Sequence, residues 1–235
     1  MPVVLGISGS PRRGANTTIA VREALDAAAE VPGVETRFFE LAGKRIRPCV
    51  GCDKCAETGY CTIKDDIHGL VEQYEAADGV IWGAPVYVMS IPANMKAAID
   101  RMTNSGIALY ARRGTALPRP IKVCGVLAVG WHRNGGEELT MSCLINACLA
   151  SGNVVVSGDM GPGAYIGAAC WSGMDEPPDA LAAADTVLRD DIGLDCARSV
   201  GRRVAEMTLM VVAGKRAIAN RLPPEYFLSR ELRPL

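Results

Sequence analysis

Along the first 130 residues, short unbroken apolar runs alternate with apolar positions that recur at helical spacing. That alternation is the mark of β-α-β units and a parallel sheet. Residues 3–7 read as the first strand. From about 15 to 30, Val21, Ala24, Leu25 and Ala28 share one helical face, and Pro32-Gly33 ends that helix before the β-rich run 34–41. Asp65 and Asp66 stand where carboxylates favour a helix N-terminus, which predicts a second helix to about Ala77 and a third strand at 79–82. The same reading gives a helix over 91–104, a strand over 121–129, a helix over 137–151 and a fifth strand at 154–156. Behind Asp190 and Asp191, Leu194, Ala197, Val200, Val204, Met207 and Val211 fall on one face, so a final helix packs back on the sheet. Residues 161–185, rich in Gly, Ala and Pro, and the tail 215–235 with Pro223-Pro224 fit neither period and are expected as loops or intersubunit contacts. The expected architecture is α/β: a doubly wound, five-stranded parallel sheet with helices on both faces. It forms one domain over 1–214 with an insertion at 42–64, followed by a C-terminal tail.

Composition narrows the function classes. Of 235 residues, 49% are hydrophobic and 22% charged, enough for an ordinary core, while an aromatic share of 5% leaves little for base stacking. A net charge of -1 without a long basic run lacks the electrostatic footprint of a nucleic-acid binder. The first residues lead straight into a strand with no signal-peptide pattern, and every apolar stretch is broken before eighteen residues, so a cytoplasmic protein with no membrane span is expected. Nine cysteines in a reducing compartment argue against a disulfide framework. Cys124, Cys143, Cys148, Cys170 and Cys196 lie in apolar surroundings and read as small buried hydrophobes.

Directly after the first strand comes Ser8-Gly9-Ser10-Pro11-Arg12-Arg13-Gly14-Ala15-Asn16-Thr17-Thr18, opening the first helix. Hydroxyls, glycines and a helix N-terminus in one turn form an anion cradle. Ala15 and Asn16 stand where a P-loop needs Lys and Ser or Thr, so a nucleoside triphosphate is disfavoured. The glycine spacing also misses the dinucleotide fingerprint. A single terminal phosphate, as in a mononucleotide flavin, fits better. Two further loops gather at the same carboxyl edge: Gly83-Ala84-Pro85-Val86-Tyr87-Val88, ahead of the helix carrying Lys96, Asp100 and Arg101, and Gly130-Trp131-His132-Arg133-Asn134-Gly135-Gly136. Tyr87, Trp131 and local backbone N–H groups suit a flat isoalloxazine. The bland alternatives are Tyr87 as a core aromatic, Asp100 and Arg101 as a surface ion pair, and His132 as a peripheral loop residue.

Cys49, Cys52, Cys55 and Cys61 fall within thirteen residues. Such compact spacing favours one iron–sulfur cluster over a zinc site, which is usually built from two separated Cys-x-x-Cys pairs. The connection over 42–64 is unusually long, and loops of that length in compact domains are usually functional or disordered. Cys196 and Arg202 show Cys-x5-Arg spacing, but inside an amphipathic helix, where a phosphatase loop has no place.

Taken together, these motifs resemble the flavodoxin-like NAD(P)H-dependent FMN reductases and, within them, the iron–sulfur flavoproteins. The resemblance rests on Gly9-Ser10-Pro11-Arg12 with Asn16-Thr17, the four cysteines with Asp65-Asp66, Gly83 to Tyr87 with Lys96 and Asp100-Arg101, and Arg133-Asn134-Gly135-Gly136. It implies a flavodoxin-like fold with FMN phosphate on the first loop, the ring on the second and third, and a 4Fe–4S cluster on the cysteines. It further implies electron exchange between cluster and FMN, with a ferredoxin-like carrier as donor, a small-molecule acceptor, and a homodimer or homotetramer. No side-chain acid or base is required. The alternatives are an NAD(P)H-dependent FMN or quinone reductase without a cluster, and a non-enzymatic redox or metal sensor.

Overall fold

Strands that are apolar without a break are the buried ones, because helices cover both faces of a parallel sheet. In the computed structural model, which describes residues 1–113, 119, 121–132, 134–173 and 183–227, β1 (Val3–Ser8), β3 (Gly79–Pro85) and β4 (Val123–Gly130) are buried almost throughout. The partly exposed β2 (Glu35–Glu40) forms one edge. All pairings are parallel in the order β2-β1-β3-β4-β5. The expected α/β architecture is thus observed.

The fifth position is shared by two strands. β5 (Val154–Val155) lies beside Val123 and Cys124 at the start of β4, and β6 (Ala168–Trp171) lies beside Leu127 to Gly130 at its end. The intervening residues leave the sheet. β6 comes from the segment expected to be loop; its Ala-Ala-Cys-Trp sequence carries little β-propensity, and pairing with β4 decides its conformation. Residues 174–182 of that segment, 228–235 of the tail and Arg133 lie outside the described residues.

One face of the sheet carries α1 (Asn16–Ala29) and α6 (Asp191–Ala217); the other carries α3 (Ile67–Ala76), α4 (Ala93–Arg113) and α5 (Glu137–Ala150). The predicted α6 face packs as expected, with Leu194, Ala197, Val200 and Val204 buried, and Met207 and Val211 half-buried against them. Asp190 caps this helix by accepting from Gly193 N at 3.0 Å. α1 and α6 approach so closely that a Cβ on Gly201 would sit 1.8 Å from Ala24 O. Beyond α6 the chain makes two short 3-10 turns, and Glu225 O accepts from Arg119 N at 2.8 Å.

β1 and β3 are neighbours although β2 intervenes in sequence, which puts the switch point between them and opens a crevice at their carboxyl ends. Among the described residues, no helix is long and apolar enough to cross a membrane.

Candidate functional site

The first loop leaves β1 into this crevice. Gly9 N donates to Gly83 O at 2.7 Å, tying the loop to the end of β3. A Cβ on Gly9 would meet Met95 Sδ at 2.3 Å and Gly83 O at 3.2 Å, so a larger residue there would displace the Met95 side chain. Ser10 Oγ accepts from Arg12 N and donates to Arg12 O, both at 3.1 Å, which tightens the turn. Gly14 then takes φ +61° before α1 begins. No side chain caps the start of α1, so its first N–H groups are left for an anion. Thr17 is buried at that end.

Besides Ser10, four of the expected phosphate residues also have bonds within the protein. The Ser8 and Thr18 hydroxyls share a hydrogen bond at 2.9 Å, and Thr18 Oγ1 donates to Glu40 Oε1 at 2.6 Å. Glu40 Oε1 also accepts from Gly14 N at 2.8 Å. Asn16 Oδ1 accepts from Val187 N at 3.0 Å, and its Nδ2 donates to Thr186 Oγ1 and Ala183 O. Arg12 Nη2 reaches the same Ala183 carbonyl at 2.9 Å. The first loop is therefore braced by β2 on one side and by the lead-in to α6 on the other.

The second and third loops touch each other. Pro85 lies beside Val129 in the sheet, Val86 N donates to Val129 O at 2.9 Å, and Tyr87 and Ser90 exchange backbone hydrogen bonds. Val88 and Met89 both adopt positive φ, 49° and 61°, a strained conformation for non-glycine residues that clusters at binding sites. Tyr87 is 45% exposed and Val88 99%, so Tyr87 is a surface ring and no core aromatic. In the third loop, Asn134 has φ +57° and Gly136 φ +111°; a Cβ on Gly136 would fall 2.6 Å from Met89 Cα. Trp131 is held by its carbonyl, which accepts from Trp171 Nε1 at 2.6 Å. Glu137 Oε1 lies 1.9 Å from where a Cβ on Gly130 would stand, and 3.4 Å from one on Gly135. His132 is exposed.

The cysteine loop closes against α4. Its neck is pinned by Arg45 N donating to Asp66 Oδ2 at 2.6 Å and Arg47 N to Asp65 Oδ2 at 3.0 Å. Within it, α2 (Cys55–Thr58) makes one turn and ends at Gly59 with φ +79°. Cys49, Cys52, Cys55 and Cys61 line one small cleft with Arg101, Asn104 and Ser105 of α4. Cys49 and Cys52 are exposed, Cys55 and Cys61 half-buried, and all nine cysteines are free thiols. Burial pushes the Cys55 thiol up, and the charges of Cys61, Asp53 and Cys49 push it further, against the lowering effect of a backbone hydrogen bond. Four thiolates brought together here would repel one another, so holding them calls for metal cations such as the irons of a cluster. Among the described residues, no three His, Cys, Asp or Glu side chains are drawn to metal-holding distance of one another.

Arg101 does not follow the bland alternative of a surface ion pair with Asp100. The helix-surface ion pair is Lys96 with Asp100, four residues apart. Arg101 is fully buried and donates to Asp65 Oδ2 at 2.6 Å, Ile63 O at 2.9 Å, Arg47 O at 3.1 Å and Cys61 Sγ at 3.2 Å. Burial works against its charge, but Asp65 and Cys61 outweigh it and hold the guanidinium above its ordinary value. Sequence reasoning missed Glu40 and Glu137. Their roles depend on which loops meet, and nothing in their local sequence announces that.

Two other features lie apart from this edge. A cavity of about 480 Å³ opens between α3, α4 and α5, under Tyr74, Trp82, Lys122 and Asn153, and none of the three crevice loops lines it. Cys196 Sγ donates to Pro162 O at 3.0 Å while Arg202 pairs with Glu30, so the two residues of the Cys-x5-Arg spacing face different partners.

Known proteins are similar to this chain in sequence and in fold. The sequence profile described as NADPH-dependent FMN reductase matches residues 2–160. An iron–sulfur flavoprotein of Methanocaldococcus jannaschii is 41% identical over 208 residues, covering 88% of this chain and 98% of the relative. Another, from Methanosarcina thermophila, is 36% identical over 173 residues, covering 74% and 84%. Among solved structures, an NAD(P)H:quinone oxidoreductase from Methanothermobacter marburgensis superposes with a TM-score of 0.59 at 18% identity, covering 86% of this chain and 98% of that one. A flavone reductase gives 0.60 at 21% identity, covering 89% and 64%; at these identities the likeness is one of fold.

Proposed function

Because the chain belongs to the iron–sulfur flavoproteins of the NADPH-dependent FMN reductase family, and is thus a flavin-dependent oxidoreductase, we propose that it exchanges electrons between FMN and a 4Fe–4S cluster carried on Cys49, Cys52, Cys55 and Cys61. The observation that carries this reading is the single cleft lined by all four cysteines, with Arg101 buried beside Cys61. When bound, the cluster moves electrons singly and FMN collects them in pairs, so the protein would join a one-electron carrier to a two-electron acceptor.

The protein's own part is to bind and orient. The uncapped N–H groups of α1, with Ser10, Pro11, Arg12 and Thr17, would hold the FMN phosphate, while Ser8, Asn16 and Thr18 shape the loop from behind. Pro85, Val86, Tyr87 and Val88 on one side, and Gly130, Trp131, Asn134, Gly135 and Gly136 on the other, would flank the ring. Among them Val88 and Asn134 hold positive φ, a strained conformation of the kind that clusters at binding sites. The cysteine cleft lies on the flank of α4, and Arg101 stands about 12 Å along the helix axis, at 1.5 Å per residue, from Ala93, where the second loop leads into α4. Exposed Cys49 and Cys52 leave the cleft open to a ferredoxin-like carrier or a second subunit.

A second reading has its own support, since the matching family is described by NADPH dependence. There, NAD(P)H would reduce FMN directly and the cysteines would be incidental. Anaerobic reduction separates the two. Reduced ferredoxin should bleach the flavin of the wild type but not that of Cys52→Ala, which keeps its FMN. Equal bleaching of both proteins by NADPH, with no response to ferredoxin, favours the second reading.

A further inference from the structure

We infer that Arg101 and Asp65 form a charge device that sets the reduction potential of the centre held by the cysteine loop. The inference rests on the cluster reading of the proposed function. Arg101 touches the sulfur of one ligand, Cys61, through Nε at 3.2 Å, and its Nη1 is bound to Asp65 Oδ2 at 2.6 Å. Both side chains are almost wholly screened from water, with exposures of 0% and 2%. A donor to a ligand sulfur and a fixed charge in a dry setting are two of the levers by which proteins tune such centres. Arg101 also holds the Ile63 and Arg47 carbonyls, so the guanidinium cannot swing away from Cys61 without breaking the neck of the loop. Arg101 acts through Cys61 and is a positioning residue.

The sign follows from charge. Reduction adds one electron to the centre. The guanidinium beside Cys61 favours the added charge, and the Asp65 carboxylate opposes it from the far side of the guanidinium. Removing each partner should therefore shift the potential in opposite directions. A purely structural role predicts instead that either loss disorders the loop and releases iron in the same way.

The test is a redox titration of anaerobically purified protein, read by absorption and by the spin signal of the reduced centre, with iron and acid-labile sulfide measured alongside. Arg101→Gln, which is neutral but keeps a donor, should make the centre about tenfold harder to reduce, a shift of about 59 mV downward for a one-electron couple. Asp65→Asn should shift it upward. If Arg101→Gln fails to fold, the Asp65→Asn shift alone decides. Unchanged potentials, or shifts of one sign in both variants, overturn the inference when wild-type iron is intact. Equal loss of iron from both variants also overturns it, because the pair is then structural only. A wild type without iron overturns the parent reading and takes this one with it.

Discussion

The same substitution on the same helix should have opposite effects at Gly201 and Gly214. At Gly201 a new Cβ would lie 1.8 Å from Ala24 O, 2.6 Å from Ala24 C and 2.8 Å from Ala24 Cα. All three are backbone atoms, so no side chain can turn aside. Reaching an ordinary separation of about 3.4 Å requires α1 and α6 to part by roughly 1.6 Å, and over-packing of this kind costs about 1–3 kcal/mol. The cost belongs at the top of that range, because the whole α1–α6 contact shares in the movement. Replacing a helical glycine by alanine returns about 1 kcal/mol. The net for Gly201→Ala is a loss of about 2 kcal/mol, or about 4–8 °C in a chain of this length. At Gly214, near the exposed end of α6, a Cβ meets nothing within 4 Å, so only the helical gain remains and stability should rise by about 0.5–1 kcal/mol. Thermal melts and urea titrations of both variants measure the contrast. Equal stability of the two would refute the close helix approach as the reason for glycine at Gly201.

Gly136→Ala should lower FMN content per purified chain, since a Cβ there collides with Met89 Cα at 2.6 Å and φ is +111°; full occupancy would speak against contact between the second and third loops. Thr17→Val should weaken FMN binding about 10–100-fold, from about 1.5–3 kcal/mol for a hydrogen bond to a charged group, and an unchanged fluorescence-quenching titration would remove Thr17 from the phosphate site. Burial pushes the Asp65 carboxyl up, but hydrogen bonds from Arg101 and from the N–H groups of Arg47 and Ile67 outweigh it and hold it below the usual carboxylate range. Its stabilising contribution is then fully present above the unfolded value of about 3.9 and is lost as pH falls through the lower folded value. Wild-type stability should fall more steeply than that of Asp65→Asn through this acid range in urea melts at fixed temperature, and parallel curves would contradict the assignment.

The parallel sheet was legible because its central strands are buried on both faces and so must be apolar without interruption, as in Val3–Ser8 and Val123–Gly130. The long α6 was legible from its stripe and its capping Asp190. β6 was not, because four residues with little β-propensity become a strand only by lying beside the end of β4. At the site, glycines and hydroxyls marked where an anion could sit, but not that Thr18 also leans on Glu40 and Asn16 on the lead-in to α6. Arg101 was hidden for a different reason. Its sequence neighbour Asp100 offered an easy surface partner, whereas its actual one, Asp65, is 36 residues away.

The central claim is that the cysteine loop carries an iron–sulfur centre in a chain that also binds FMN. The most direct measurement is iron, acid-labile sulfide and FMN per chain in anaerobically purified protein, compared with Cys49→Ala. One FMN with about four iron and four sulfide is expected in the wild type, and loss of the metal with retention of FMN in the variant. FMN with zinc or with no metal in the wild type would contradict it.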